Sequence, residues 1–143
     1  METATEHTIL IVDDNPDDIE ITRIILSRMG RALKVEEATS GEAALKRLRD
    51  GNELPALILL DIKMPGMSGL DTLRRIRADG RLKAIPVIIV TSSALESDEK
   101  EAYAAGADNF LHKSIDLDCF SREVESLLKR YLKNSTVLRR GEY

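Results

Sequence analysis

The sequence has few of the residues that mark several common classes of protein. It contains one cysteine, which excludes an internal disulfide and is typical of a reducing cytoplasm. It has no tryptophan, two phenylalanines and three tyrosines, so few rings are available for stacking on nucleic-acid bases. The net charge is −4, whereas a nucleic-acid binder usually carries a basic patch. We therefore expect no nucleic-acid partner.

Long hydrophobic runs are also absent. The longest, such as Ile9–Val12 and Ala56–Leu60, are far too short to span a bilayer, so we expect no membrane partner. The first six residues include acids and no apolar segment, which argues against a signal peptide. Hydrophobic residues nevertheless make up 43% of the 143 residues, enough to form a core without disulfides. We expect one cytoplasmic domain over residues 1–132 and a short, partly disordered tail over residues 133–143.

Five short apolar runs recur along the chain. Ile9–Val12, Ala56–Leu60 and Val87–Val90 are continuous, as expected for strands buried on both faces of a parallel sheet. Two weaker apolar runs lie between and after these, at Leu33–Ala38 and Asn109–His112. Leu33–Ala38 is half polar, which is typical of an edge strand.

Helical patterns fill the gaps between these runs. Asn15 before a proline predicts the first N-cap, and Asp116 predicts the last one. Thr39 and Glu42 have the spacing of a capping box, and the apolar face of the last helix starts at Leu117. Strand and helix thus alternate five times. This (βα)5 pattern predicts an α/β fold with a parallel five-stranded sheet and helices on both faces.

Polar or charged side chains follow four of the five predicted strands. Asp13 and Asp14 follow the first strand, and Asp61 follows the third. Thr91 ends the fourth strand, and Lys113 follows the fifth. Each alone has an ordinary explanation as a turn former, a helix cap or a solvated side chain. Ligands of open α/β sheets bind at the carboxyl ends of the strands, so together these residues indicate a site.

The chemistry of such a cluster is specific. Neighbouring carboxylates disfavour each other's ionised forms unless a cation joins them, and oxygen ligands select a hard ion such as Mg²⁺. The Lys113 ammonium and the Thr91 hydroxyl can bind an oxyanion, and a carboxylate is a competent nucleophile toward phosphorus. The residues predict Mg²⁺-dependent phosphoryl transfer to an aspartate. Asp61 is the favoured acceptor because its strand is the most apolar and therefore the most central.

Five motifs in order resemble the receiver domain of two-component response regulators, as in single-domain chemotaxis-type regulators. They span residues 7–131 and are Ile11–Pro16, Leu59–Gly69, Pro86–Ser92, Ala105–Asp108 and Phe110–Lys113. The resemblance implies a flavodoxin-like sheet with strand order 2-1-3-4-5. It also implies a signalling phosphoprotein rather than an enzyme. The chain would be a stand-alone receiver, because few residues remain for an output or DNA-binding domain.

The same resemblance implies the acceptor and the metal ligands. Asp61 would take a phosphoryl group from a sensor histidine kinase or a histidine phosphotransfer protein. Asp14 would bind Mg²⁺ directly and Asp13 mainly through water, with Asp61 and the backbone carbonyl of Lys63 as the other ligands.

The resemblance also implies a conformational switch. Lys113 would pair with a phosphoryl oxygen, Thr91 would move onto the phosphoryl group, and Phe110 would turn inward. The changed surface would bind a downstream protein target, and a homodimer through the face of the last two helices is a further expectation.

Two positions, Ser114 and Phe110, depart from the family, and Phe110 stands where tyrosine is the common switch residue. Ser114 follows Lys113 where the family usually has proline, and because a cis bond before serine costs about 2.5–4 kcal/mol we predict a trans bond or a strained loop. Lys63 and Ser93 border the phosphorylation pocket, and we hypothesise that Lys63 slows hydrolysis of the phosphoryl group. The Asn15-Pro16 start and the Lys113-Ser114 pair look similar to regulators of phytochrome-type kinases.

Two alternatives remain open from the residues. A phosphohydrolase resembling haloacid-dehalogenase enzymes would need a second aspartate two residues after the nucleophile, where this chain has Lys63. A pseudo-receiver that binds partners without phosphorylation would be favoured by a broken pocket, but all five polar residues of the strand ends are present.

Overall fold

The computed structural model describes residues 6–30, 32–92, 95–113 and 116–132. The tail over residues 133–143, the Lys113–Ser114 bond and Ser93 lie outside these residues. Along the described residues five strands alternate with five helices: β1 His7–Val12, α1 Pro16–Ser27, β2 Leu33–Ala38, α2 Gly41–Asp50, β3 Leu57–Leu60, α3 Gly69–Ala78, β4 Val87–Thr91, α4 Glu96–Ala105, β5 Asn109–His112 and α5 Leu117–Tyr131.

The strands form one parallel sheet in the order β2-β1-β3-β4-β5. The α/β class, the (βα)5 pattern and the strand order expected from the resemblance are all confirmed. The half-polar strand β2 lies at an edge, as its composition predicted. Within the described ranges, no helix is both long and apolar enough to cross a membrane.

The sheet separates two apolar cores, one on each face. In β3, Ile58 and Leu60 belong to the core under α2, α3 and α4, whereas Leu57 and Leu59 belong to the core under α1 and α5. All four side chains are buried. This explains why the run is continuous: alternation along a strand requires one face to be wet, and neither face of β3 is.

The N-caps of α1 and α5 are the predicted residues, whereas the N-cap of α2 is not. Asn15 accepts from the backbone N–H groups of Asp17 and Asp18, and Asp116 caps α5 in the same way. The prediction of Thr39 as a cap was wrong: Ser40 has the extended backbone of an N-cap, and its hydroxyl accepts from Ala43 N.

Leu117, expected on the buried face of α5, is 51% exposed. It is the first residue of the helix, and burial of the apolar face begins at Phe120.

Helix α3 begins in direct contact with the backbone that follows β3. The Gly69 N–H donates to the Ile62 carbonyl at 2.8 Å. A Cβ atom at Gly69 would lie 2.0 Å from the Asp61 carbonyl oxygen, a distance that real Cβ atoms do not reach. The absence of a side chain at Gly69 therefore sets how closely α3 approaches the residue expected to carry the chemistry.

We predict that Gly69→Ala lowers the free energy of unfolding by about 2–4 kcal/mol, because the methyl group must displace either α3 or the Asp61 backbone. Gly80→Ala is the matched control, since a Cβ at Gly80 meets no heavy atom within 4 Å. Urea denaturation should place the control within about 0.5 kcal/mol of the parent. Equal effects of the two substitutions would contradict the close approach.

Candidate functional site

The sheet register brings the ends of neighbouring strands to one level. Val12 pairs with Leu60, so Asp13 and Asp61 follow adjacent strands side by side. Backbone hydrogen bonds continue one residue beyond the strands, from Asp61 N to the Val12 carbonyl at 2.9 Å and from Lys113 N to the Thr91 carbonyl at 2.8 Å. The backbones that carry these residues are therefore fixed by the sheet rather than by loops.

Three carboxylates converge at this edge. One oxygen from each of Asp13, Asp14 and Asp61 lies within 4.8 Å of the other two. Asp13 and Asp61 are buried, whereas Asp14 is exposed to solvent. The convergence expected from the strand ends is confirmed. An all-oxygen donor set with one solvent-facing member fits a hard divalent cation such as Mg²⁺, which keeps some of its waters.

The Lys113 ammonium lies inside this acidic cluster. Its Nζ is 2.9 Å from Asp13 Oδ2 and 4.0 Å from Asp61 Oδ2. A shorter contact, 2.8 Å, joins Nζ to Asp18 Oδ2 in the first turn of α1. Burial by itself lowers the pKa of Lys113, but the hydrogen bonds to Asp18 and Asp13 and the attraction of Asp61 outweigh it and raise this pKa. Lys113 therefore stays charged.

The neighbours of Asp61 shift its pKa in opposite directions. Burial raises the pKa of the Asp61 carboxyl, Lys113 lowers it, and the Asp13 carboxylate raises it again. Hydrogen bonds from the Thr91 side chain and the Ile62 backbone favour the ionised form without reversing the shift. Asp61 is thus a carboxylate whose negative charge is only partly compensated by its protein neighbours. A cation bound beside such a carboxylate would stabilise its ionised form.

The other expected residues lie around this cluster. Thr91 is fully buried at the end of β4. Lys63 is exposed in the segment that follows β3. Phe110 is half-buried and packs against the core under α2, α3 and α4.

Sequence reasoning missed Asp18. It lies four residues after Asp14, in the first turn of a helix whose start is at this edge of the sheet, and that placement was the available signal. An acidic residue in a first helical turn has a sufficient local explanation, since it complements the helix dipole. Its contact with Lys113 joins residues far apart in sequence, and the local pattern does not contain it.

The chain belongs to the response regulator receiver domain family, whose model matches residues 9–125. Members of this family act as signalling switches in two-component systems, and receiver domains bind Mg²⁺. The chain is 36% identical over 122 residues to the chemotaxis protein CheY of Pseudomonas aeruginosa, covering 85% of this chain and 96% of that protein.

Other relatives are longer. The chain spans 54% of the response regulator Rre1 of a Synechocystis strain and 31% of a probable cyclic di-GMP phosphodiesterase of Vibrio cholerae. In these proteins the matching region is one part of a larger chain.

The similar solved structures are also response regulators or receiver domains, and two of them are regulators of phytochromes. The phosphorylated cyanobacterial phytochrome response regulator RcpA matches with a TM-score of 0.84 and 27% identity, over 94% of this chain and 100% of that chain. The bacteriophytochrome response regulator RtBRR matches at 0.73 and 32% identity, over 86% and 78%. The receiver domain of the Pseudomonas aeruginosa sensor kinase PA1611, with magnesium in its active site cleft, matches at 0.76 and 26% identity, over 90% and 99%.

We predict that Asp61→Asn stabilises the metal-free protein at neutral pH. Because the pKa of Asp61 is raised in the folded state, the folded protein binds its proton more tightly than the unfolded chain does. The stability of the parent therefore falls as the pH rises from the ordinary value of 3.8 through the raised pKa. The neutral asparagine removes this loss.

The check is thermal unfolding in chelator at several pH values. The melting temperature of the variant should exceed that of the parent at pH 7, and the difference should vanish below the ordinary aspartate pKa. Added Mg²⁺ should stabilise the parent more than the variant. A difference that does not depend on pH would contradict the assignment.

Proposed function

We propose that this receiver accepts a phosphoryl group on Asp61 and thereby changes the surface it offers to a downstream protein. One observation carries the proposal: Asp61 meets two further carboxylates within 4.8 Å while the Lys113 ammonium lies 4.0 Å from its Oδ2. A buried acceptor beside a cation site and an ammonium is the arrangement that in-line phosphoryl transfer needs.

The residues have distinct roles in the proposed reaction. An Asp61 carboxylate oxygen forms the new P–O bond while the P–N bond to a kinase histidine breaks, and the imidazole leaves with its electron pair and takes a proton from solvent. Asp13, Asp14, Asp61 and the Lys63 backbone carbonyl would hold Mg²⁺, which when bound would neutralise phosphoryl charge. Lys113 would donate to a phosphoryl oxygen through a free N–H.

The switch would connect this site to the face made by α4, β5 and α5. Thr91 would turn toward the phosphoryl group, and half-buried Phe110 would move into the space beside it. Phe110 and Leu95 also line a groove of about 400 Å³ on that face. A movement of Phe110 would therefore reshape a groove for a downstream protein or for a second copy of this chain.

We also propose a phytochrome-type histidine kinase as the phosphodonor. Two observations support it: the likeness to RcpA and RtBRR, and the motifs at Asn15-Pro16 and Lys113-Ser114. The domain limits at residues 1–132 and a cytoplasmic location stay predictions.

We expect the parent protein, incubated with acetyl phosphate and Mg²⁺, to gain the mass of one phosphoryl group, and Asp61→Asn to gain none. Intact-protein mass spectrometry measures this directly. Omitting Mg²⁺ should abolish the gain in the parent. Phosphorylation of both proteins, or of neither, would refute the assignment of Asp61.

Lys63→Ala is expected to shorten the lifetime of the phosphorylated protein several-fold, because the exposed ammonium would otherwise contact the phosphoryl group and limit attack by water. The rate of phosphate release after removal of the donor measures this lifetime. Lys83→Ala is the control, since it removes an exposed lysine beyond α3. An unchanged rate in Lys63→Ala would exclude this role.

The kinase assignment predicts that a phosphorylated phytochrome-type kinase transfers its label to this protein at least about tenfold faster than a chemotaxis-type kinase does. Time courses of label loss from each kinase would measure the ratio. Equal rates, or faster transfer from the chemotaxis-type kinase, would reject the assignment.

A further inference from the structure

The Lys113 ammonium is held away from the proposed acceptor. Its two hydrogen bonds go to Asp18 Oδ2 at 2.8 Å and to Asp13 Oδ2 at 2.9 Å. Asp61 Oδ2 is 4.0 Å away, which is beyond hydrogen-bond distance. An ammonium has three donors, so one remains available after these two contacts. The acceptor oxygen is thus close to a positive charge without being hydrogen-bonded to it.

Asp18 and Asp13 differ in what they can do for Lys113. Asp13 belongs to the carboxylate cluster that fits a cation, so a bound metal would compete with Lys113 for the Asp13 oxygens. Asp18 lies outside that cluster, and its side chain is 34% exposed against 7% for Asp13. Asp18 would therefore remain a partner of Lys113 if a metal took the Asp13 oxygens.

Local structure at the start of α1 fixes Asp18 in this place. The Asn15 side chain accepts from the N–H groups of both Asp17 and Asp18, which orients the first turn. In this turn Asp18 faces Lys113, while Asp17 is exposed. Asp18, Lys113 and Leu117 also line one small pocket between α1 and α5.

We propose that Asp18 is a positioning residue that anchors the Lys113 ammonium away from Asp61, so that the Asp61 oxygen stays open to Mg²⁺ and to the incoming phosphorus. The inference rests on the proposed function of Asp61 and adds a residue to it. A direct ammonium–carboxylate hydrogen bond would hold the same lone pairs that the metal and the phosphorus require. Without Asp18, Lys113 has no other described carboxylate beside Asp13 and Asp61 within ion-pair distance.

The test compares Asp18→Asn with Asp17→Asn. Both remove one negative charge from the same helical turn, but only the first removes the partner of Lys113. Isothermal titration with MgCl₂ should show binding about tenfold weaker in Asp18→Asn and changed by less than about twofold in Asp17→Asn. Asp18→Glu should restore most of the affinity, since it keeps the charge.

Two further measurements separate positioning from simple electrostatics. In a Lys113→Ala background, Asp18→Asn should no longer change Mg²⁺ affinity, because Asp18 acts through Lys113. With acetyl phosphate as donor, Asp18→Asn should raise the Mg²⁺ concentration that gives half the maximal rate about tenfold, while the rate at saturating Mg²⁺ stays near that of the parent.

Equal weakening in Asp17→Asn and Asp18→Asn would overturn the proposal in favour of a general charge effect. Persistence of the Asp18→Asn effect without Lys113 would overturn it in favour of direct metal contact. Failure of the proposed function looks different: the parent would bind Mg²⁺ yet gain no phosphoryl group, and the titrations would still report on Asp18.

Discussion

Repulsion among carboxylates at one edge of a buried sheet is the constraint on which this structure depends. Asp13, Asp14 and Asp61 meet there, and two of the three are buried. Burial and the neighbouring Asp13 carboxylate raise the pKa of Asp61, and the Lys113 ammonium partly offsets this rise. Lys113 follows β5, whereas Asp13 and Asp61 follow β1 and β3, so the site is complete only when all three strands are paired in the sheet.

The geometry of the scaffold makes this arrangement rigid. Parallel pairing aligns the carboxyl ends of β1, β3, β4 and β5, and hydrogen bonds continue past the strands to Asp61 and Lys113. Gly69 allows α3 to start against the Asp61 backbone. The backbone contacts and the two apolar cores thus hold the carboxylates together, although Lys113 only partly compensates their charge.

Much of the fold could be predicted because its signals are local. Continuous apolar runs mark strands covered on both faces, and the half-polar run of β2 marks an edge. The errors were local as well. Thr39 and Ser40 both have a hydroxyl that can cap, and only the backbone angles show that Ser40 does so. Leu117 fits the period of α5 but precedes the point where the helix meets the sheet.

By itself, the sequence determined which residues end the strands, and therefore that three carboxylates, a hydroxyl and an ammonium share one edge. That conclusion needs only periodicity and the geometry of parallel sheets. Only the tertiary structure decided which carboxylates the Lys113 ammonium contacts: its Nζ is 2.8 Å from Asp18 Oδ2 and 4.0 Å from Asp61 Oδ2. The reason is physical: Asp18 lies in the first turn of α1 and Lys113 follows the end of a strand distant in sequence. Their distance depends on how α1 packs on the sheet, which no local pattern encodes.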